Sequence, residues 1–260
     1  MGSCISLAEV RCTSLRAPTP KREITRTDGV GEITVELYGD SQLAPFHVGV
    51  HDKRIFYTAI KRAFDFCVAL VLLVALAPLM LFIAICIRLD SPGPALFKQT
   101  RIGKGGKPFT FYKFRSMHVN NDPKEYEQFF KAFVNGQAKG ENGVHKPIRP
   151  NQVTRVGRIL RKTSLDELPQ LINILKGEMS FVGPRPNVPW EVEAYQEWHK
   201  RRLEVLPGIT GLAQIRGRSS LTFDQIVRYD IEYIENQSLW LDLKILWQTI
   251  PSVLGGNGAG

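Results

Sequence analysis

The chain has 260 residues, 43% hydrophobic and 23% charged, so it can bury a core and wholesale disorder is excluded. Its formal net charge of +9 is unevenly distributed. The first 50 residues contain five Lys/Arg and six Asp/Glu, a net of −1, which leaves +10 on the remainder. This basic remainder favours anionic partners: phosphorylated ligands, anionic lipid headgroups or nucleic acid.

The N-terminal segment, residues 1–55, is predicted to be a flexible arm, with "GEITVELYGD" alternating well enough for one strand. Its start, MGSCIS, matches the myristoylation pattern M-G-x-x-x-[ST], but we favour a chance match because the pattern is short. The four cysteines are scattered and form no C-x-x-C pair. A zinc site or disulfide framework is therefore not expected.

The next segment is strongly apolar: Phe66–Ile87 contains no charge and is long enough to cross the bilayer's hydrocarbon core. A buried core helix is disfavoured because no polar face exists. Pro78 lies in the middle and should bend or break the helix. Both flanks are basic, so two interpretations stay open: a kinked span, and a helix–break–helix that enters and leaves one leaflet.

Alternating residues in Leu96–Ile102, a Gly-rich turn and a second apolar run to Phe114 predict a β-hairpin. The turn is not a P-loop, because Arg101 and Pro108 stand where Gly and Ser/Thr are needed. Residues 119–150 are polar and are predicted to be an insertion or lid, with one helix near Pro123–Val134.

The C-terminal part predicts a charged helix around Trp190–Leu203, a Gly-punctuated loop at 206–220, and amphipathic helices at Thr222–Ile234 and Leu239–Leu254. Paired Trp residues in the last helix suit either a membrane interface or the core.

Two neighbouring acids, Asp166 and Glu167, lie in "SLDELPQL" at a predicted helix start. A capping box between Ser164 and Glu167 would give them a purely stabilising role. Alternatively, the positive end of the helix keeps Asp166 anionic, which suits a nucleophile or a metal ligand. The apolar turn that follows ends at Gly177.

Arginines and lysines surround these acids in the sequence. Arg forks match phosphate oxygens in pairs, so the combination suggests phosphoryl transfer, with Mg²⁺ bridging acid and diphosphate. The alternative is that exposed arginines pair with lipid headgroups. The residues concerned are Arg161, Lys162, Arg185, Arg216 and Arg218.

The ordered motifs "FKQTRIG", "FYKFRSM", "LRKTSLDELPQLINILKGEMSFVGPRP" and "PGITGLAQIRGRSS" closely resemble the monotopic phosphoglycosyl transferases, the bacterial sugar transferase family. The resemblance covers residues about 58 to 254. It implies a helix-rich α/β fold with a re-entrant membrane helix at 56–90, broken at Ala77–Pro78. A cytoplasmic catalytic domain at 91–260 would carry the hairpin and interfacial amphipathic helices.

The resemblance also implies a two-step reaction. Asp166 attacks the sugar-proximal phosphorus of a UDP-sugar and releases UMP, and undecaprenyl phosphate then accepts the phosphosugar. Glu167 binds Mg²⁺ and helps to deprotonate or position the acceptor. Six further residues match motif positions that line the nucleotide-sugar site: Lys113, Arg115, Arg161, Arg185, Gln214 and Arg218. The enzyme would insert from the cytoplasmic face of the bacterial inner membrane, in contact with membrane lipid.

The insertion at 119–150 and the C-terminal ending look more like the hexose-1-phosphate branch of the family, so UDP-glucose or UDP-galactose is the expected donor. The product would begin an exopolysaccharide, capsule or O-antigen unit. Two alternatives are an N-acetylated amino-sugar donor and a non-catalytic membrane scaffold. Nucleic-acid binding is not expected, because it leaves Phe66–Ile87 unexplained. A homo-oligomer is left open.

Overall fold

The computed structural model of the chain describes residues 52–118, 124–136, 152–217 and 221–254, all within one compact unit, Gly49–Gly260. Nearly all of the predicted arm, including its strand, lies outside these residues. The helices are α1 Asp52–Asp90, α2 Lys124–Val134, α3 Arg155–Thr163, α4 Gln170–Lys176, α5 Pro189–Glu193, α6 Leu212–Arg216, α7 Phe223–Glu235 and α8 Leu239–Leu254. The strands are β1 Leu96–Ile102, β2 Pro108–Phe114, β3 Ser180–Val182 and β4 Gly208–Thr210. The predicted helix-rich α/β class is confirmed.

The apolar segment forms one helix, α1, which is long and apolar enough to cross a membrane. The expected interruption at Ala77–Pro78 is not observed, because helical backbone continues through Pro78 to Asp90. A proline removes a single backbone donor, and the helix tolerates this loss here. Most of the large apolar side chains in the middle of α1 are exposed, including Val71, Val74 and Phe82. The segment is therefore a helix with an apolar, outward-facing surface.

The N-terminal end of α1 bonds to the folded part of the chain. Lys61 Nζ lies 2.9 Å from Asp242 Oδ2 in α8, and Tyr57 Oη donates to the same oxygen at 2.8 Å. Arg62 donates to the Ile174 and Leu175 carbonyl oxygens at 2.5 and 2.9 Å, at the C-terminal end of α4. Cations commonly stabilise a helix C-terminus in this way. Two of the basic flanking residues therefore have protein partners.

The C-terminal end of α1 is also bonded to the folded part. Asp90 Oδ2 accepts a hydrogen bond of 3.0 Å from the Val156 backbone N–H at the start of α3. The buried Arg115 donates to the Ser91 carbonyl oxygen at 2.6 Å and to the Pro92 carbonyl oxygen at 2.9 Å. Both ends of α1 thus contact one folded unit.

The predicted hairpin is confirmed. Strands β1 and β2 pair antiparallel from Leu96↔Phe114 to Ile102↔Pro108. The turn uses Gly105 and Gly106 at positive φ, a region that glycine enters without steric cost. Because β2 ends at Phe114, the hairpin delivers Lys113 to the neighbourhood of the acidic residues.

A second, smaller sheet was not predicted. Strands β3 and β4 pair in parallel, with Ser180 opposite Gly208 and Val182 opposite Thr210. A Cβ at Gly183 would overlap with the Leu206 carbonyl oxygen, so a side chain does not fit there. The predicted Gly-punctuated loop therefore contains β4 and α6.

The helix predicted around Trp190–Leu203 is wrong in extent. It divides into the short α5 and a 3₁₀ helix, Glu197–Glu204. The insertion helix, α2, is confirmed, and its aromatic residues pack on α5 and α7. This aromatic cluster comprises Phe129, Phe130, Phe133, Trp190, Tyr195, Trp198 and Phe223.

Helix α8 matches its predicted bounds. One face packs inward, where Ile245 is fully buried beside Tyr233. The opposite face is apolar and exposed, with Trp240 at 78% and Trp247 at 75%. Core packing of α8 therefore uses the Ile245 face and not the two Trp side chains.

Candidate active site

The two acids lie on a 3₁₀ turn, Leu165–Glu167, which we call the acidic turn; it joins α3 to α4. Ser164 adopts a left-handed conformation (φ 56°) and makes no side-chain cap, so the predicted capping box does not form. Leu165 and Leu168, on either side of the acids, pack with Ile83 and Ile87 of α1. The acidic turn is thus fixed directly against the apolar helix.

Asp166 is almost completely buried, at 2% exposure. Lys113 Nζ lies 2.6 Å from Asp166 Oδ2 and 3.8 Å from Glu167 Oε1. The more exposed Glu167 also has Arg185 Nη1 at 3.5 Å. One lysine and one arginine from distant segments therefore converge on this pair of carboxylates.

Burial raises the pKa of Asp166 above its ordinary value, and the neighbouring Glu167 charge adds to this rise. The Lys113 and Arg161 charges oppose it without cancelling it. The expectation that a helix N-terminus would depress the proton affinity of Asp166 is therefore wrong. The acid lies on a single 3₁₀ turn in a desolvated position, and desolvation outweighs the dipole.

Arg161, on the last turn of α3, is close enough to Asp166 and Arg185 for their charges to act on one another. Burial lowers its pKa from the usual arginine value, but the Asp166 charge opposes this. The structure thus brings Asp166, Glu167, Lys113, Arg161 and Arg185 together. All five were named from the sequence as site residues.

The remaining predicted residues lie elsewhere or outside the described part. Arg115 is directed at the end of α1, where its bonds to the Ser91 and Pro92 carbonyl oxygens give it a structural role. Gln214, on α6, donates to the Ile209 carbonyl oxygen at 3.3 Å. Its Oε1 is buried, with no hydrogen-bond partner in the described part of the chain. Arg218 lies outside the described residues.

Asn173 is a residue of this region that the sequence did not reveal. It is fully buried on α4 and accepts from the Tyr112 N–H at 3.1 Å. Its Nδ2 donates to the Thr110 carbonyl oxygen at 2.6 Å and to Glu178 Oε2 at 2.7 Å. These bonds fix β2 next to Lys113 against the helix that follows the acidic turn. An Asn inside an apolar helical pattern carries no signal of this role.

A magnesium ion fits the donor set of the acidic turn. Carboxylate oxygens are ligands that Mg²⁺ prefers, and it usually takes one or two of them together with phosphates and water. Within the described ranges, no group of three or more His, Cys, Asp or Glu could form an all-protein metal site. Glu167, the more accessible acid, is the better placed to share a metal with a bound diphosphate.

The chemistry that this cluster allows is transfer involving an anionic phosphate group. Three cations lie around two acids, which suits binding of a diphosphate next to a carboxylate. Lys113 covers Asp166, so an anion that attracts Lys113 would also expose the carboxylate.

Comparison with known proteins agrees with this chemistry. Residues 56–256 match the model of the bacterial sugar transferase family. A UDP-glucose:undecaprenyl-phosphate glucose-1-phosphate transferase of Caulobacter vibrioides is 40% identical over 244 residues, 90% of this chain and 85% of the relative.

Two longer relatives are similar over about three quarters of this chain. An undecaprenyl-phosphate galactose phosphotransferase of Salmonella typhimurium is 41% identical, over 77% of this chain and 41% of the relative. An Aeromonas hydrophila enzyme, a UDP-N-acetylgalactosamine-undecaprenyl-phosphate N-acetylgalactosaminephosphotransferase, is 39% identical, over 78% of this chain and 45% of the relative. The family predicted from the motifs is confirmed. The chain therefore belongs to the bacterial sugar transferase family and is an enzyme of the polyprenyl-phosphate hexose-1-phosphate transferase type.

Proposed function

We propose that this enzyme transfers a sugar-1-phosphate from a UDP-sugar to undecaprenyl phosphate, releasing UMP through a covalent aspartyl-phosphosugar intermediate. The observation that carries the proposal is the acidic turn. A buried carboxylate lies under Lys113 and beside the Glu167–Arg185 pair, on a turn packed against an apolar helix. A soluble nucleotide sugar and a lipid-borne phosphate can meet at such a place.

In the first step, the donor's diphosphate binds among Lys113, Arg161 and Arg185. The diphosphate gives Lys113 a second anionic partner, which draws Nζ away from Asp166 and exposes the carboxylate. An Asp166 oxygen then attacks the sugar-proximal phosphorus, and the bond from that phosphorus to the bridging oxygen breaks. UMP leaves with the bonding electron pair.

In the second step, a phosphate oxygen of undecaprenyl phosphate attacks the same phosphorus. The acyl-phosphate bond breaks, Asp166 returns to the carboxylate, and the lipid carries a diphosphate-linked sugar. Glu167 would hold Mg²⁺, whose positive charge would offset the charge on the transferred group. Arg185 and Arg161 orient the phosphates through both steps.

The membrane topology that we propose is re-entrant, with α1 bent at Pro78 but not interrupted there. Lys61 and Arg62 at one end of α1, and Asp90 at the other, bond to the same folded unit. A folded polar domain cannot lie on both sides of a bilayer, so both ends belong on one face, the cytoplasmic one. The exposed apolar surface of α1 then enters a single leaflet, and the Trp face of α8 lies at the interface.

The donor is UDP-glucose or UDP-galactose under this proposal, and the product begins an exopolysaccharide, capsule or O-antigen unit. The Caulobacter and Salmonella relatives, named for these two hexoses, support it. A second candidate is the same transfer from an N-acetylated donor, which the Aeromonas relative favours.

A donor panel distinguishes these candidates. Purified enzyme in native-lipid particles with Mg²⁺ and undecaprenyl phosphate is given UDP-Glc, UDP-Gal, UDP-GlcNAc, UDP-GalNAc and a UDP-deoxyamino sugar, and UMP is measured. A site that hydrogen-bonds a sugar can reject a mismatched analogue by several orders of magnitude, so one donor should dominate. UMP release from N-acetylated donors alone would contradict the hexose assignment but not the transfer chemistry. No release from any donor would contradict the function.

A further inference from the structure

Arg185 lies on a segment whose backbone is bonded at every step. We call this segment, residues 183–187, the arginine loop. Its two prolines, Pro184 and Pro186, restrict the backbone on either side of Arg185. Five backbone groups of the loop have partners: Gly183 N–H with Thr210 O, Pro184 O with Gly208 N–H, Arg185 O with Arg202 Nη2, Pro186 O with Arg101 Nη1, and Asn187 O with Ile102 N–H.

Two of these partners are buried arginines, which is an unusual use of a charged side chain. Arg202 is 5% exposed and its Nε lies 2.7 Å from Asp230 Oδ2, itself buried. Its Nη1 donates to Tyr195 Oη at 2.8 Å, and its Nη2 donates to the Arg185 carbonyl oxygen at 3.3 Å. The guanidinium group also packs over the Phe223 ring, 5.7 Å from its centroid. Its orientation is therefore fixed on every side.

Arg101 acts on the next carbonyl group. Its Nη1 donates to the Pro186 carbonyl oxygen at 2.9 Å, and Glu191 Oε2 lies 3.9 Å away. Glu191 in turn accepts from Asn187 Nδ2 at 2.7 Å and from the Val188 N–H at 2.9 Å. Successive carbonyl groups, at Arg185 and Pro186, are thus each bonded by a guanidinium group that is paired with a buried carboxylate.

The direction of the Arg185 side chain depends on this support. The Arg185 side chain is 45% exposed, and its Nη1 lies 3.5 Å from Glu167 Oε1, which is a long ion pair. Few contacts of its own therefore direct this side chain. Its direction therefore depends on the backbone, and the two buried arginines hold that backbone at the Arg185 and Pro186 carbonyl groups. Charge-assisted bonds to carbonyl oxygens are short-range and directional, which suits this task.

We propose that Arg202 and Arg101 are positioning residues for the reaction: they fix the arginine loop so that Arg185 meets the donor diphosphate beside Glu167. This inference rests on the proposed function, which assigns Arg185 to the diphosphate. Neither buried arginine contacts substrate. Because catalytic geometry is sensitive to displacements of about 1 Å, loss of this support should lower turnover by roughly 10- to 100-fold.

The first test is a double-mutant cycle with kinetics on the preferred UDP-sugar. Arg202→Lys keeps the charge opposite Asp230 but cannot bond Tyr195 and the Arg185 carbonyl oxygen together. We expect Arg202→Lys to lower kcat/KM about 10-fold or more. The loss should divide between KM and kcat in the same proportion as the loss in Arg185→Ala. The double variant should be no slower than Arg185→Ala within about two-fold. Multiplication of the two losses would show that Arg202 acts independently of Arg185 and would overturn the proposal.

One further variant serves as a control, and another is a second test of the proposal. Arg201→Lys changes the adjacent arginine, which pairs with Glu204 and Glu235 at the surface, and should leave the kinetics unchanged. Tyr195→Phe removes a single hydroxyl from the Arg202 environment and should give a smaller loss in the same direction. If Arg202→Lys does not fold, Tyr195→Phe replaces it as the test, and unchanged kinetics in Tyr195→Phe would overturn the proposal.

Hydrogen–deuterium exchange gives a readout that needs no catalysis. The peptide covering residues 180–192, which contains the bonded amides on both sides of the two prolines, should exchange faster in Arg202→Lys than in wild type or Arg201→Lys, while peptides of α1 and β1 are unchanged. If exchange in 180–192 does not change, the positioning role is wrong. If wild-type enzyme releases no UMP but this peptide responds, the proposed function fails and the positioning of Arg185 stands.

Discussion

Replacing Asn173 with alanine tests whether the active-site strand is held by one buried amide. The substitution removes the acceptor for the Tyr112 N–H and the donor for the Thr110 carbonyl oxygen. An unsatisfied buried group costs about 1–3 kcal/mol. Because the Tyr112 N–H and the Thr110 carbonyl group are only partly buried, the lower part of this range applies to each of them. We therefore expect a loss of about 2–4 kcal/mol in the free energy of unfolding. At about 2–4 °C per kcal/mol for a chain of this size, the melting temperature should fall by roughly 5–15 °C.

The assay is thermal unfolding in native-lipid particles, together with UMP release below the transition. Asn236→Ala is the matched control, because Asn236 makes one exposed bond to the Glu232 carbonyl oxygen and should change stability by less than about 0.5 kcal/mol. Since β2 carries Lys113, activity should fall with stability in Asn173→Ala alone. A melting temperature within 2 °C of wild type would show that β2 does not depend on Asn173, and the reasoning would be refuted.

Three further predictions concern the acidic turn and the membrane helix. Asp166→Asn should abolish UMP release, yet its melting temperature at pH 7 should be no lower than that of wild type. Because the pKa of Asp166 is raised in the folded state, ionisation of this carboxyl group lowers the free energy of unfolding of the wild type. The stability advantage of Asp166→Asn over wild type should therefore become smaller as the pH falls through that pKa. A clear loss of stability in the variant at pH 7 would contradict this expectation. Since the attacking group must be ionised, the acidic limb of the pH profile of kcat/KM should have an apparent pKa above about 3.9, the ordinary aspartate value. An apparent pKa at or below that value would be inconsistent with the burial of Asp166. Cysteines introduced at the exposed Ala59 and Pro94, in a background lacking native cysteine, should both react with an impermeant reagent from the cytoplasmic side; reaction from opposite sides would establish a span.

The hairpin and α8 were predictable because each is long enough for its pattern of apolar residues to repeat in the sequence. Alternation on both sides of a Gly-rich turn predicted the hairpin, and the spacing of apolar residues predicted α8 with its bounds. Strands β3 and β4 have three residues each, which is too short for an alternating pattern, and their pairing depends on contact between Gly183 and Gly208. Such close approach of two backbones is a tertiary property.

The sequence predicted some of the charged residues that lie around the two acids, but not their geometry. Motif positions identified Lys113, Arg161 and Arg185, which the structure places around the acids. The same reasoning could not tell that Arg115, two residues after Lys113, is directed at the end of α1, because charge in a sequence carries no direction. The burial of Asp166 likewise depends on packing of the acidic turn against α1, so the direction of its pKa shift could be established only from the structure.

The covalent role of Asp166 is tested most directly by a single-turnover experiment without acceptor. Enzyme, Mg²⁺ and the preferred UDP-sugar are mixed, UMP is measured, and the protein is digested for mass spectrometry. The account predicts UMP approaching one equivalent per enzyme and a sugar-phosphate adduct on the peptide that contains Asp166, both absent in Asp166→Asn. UMP formation that begins only when undecaprenyl phosphate is added, with no adduct on the protein, would contradict it.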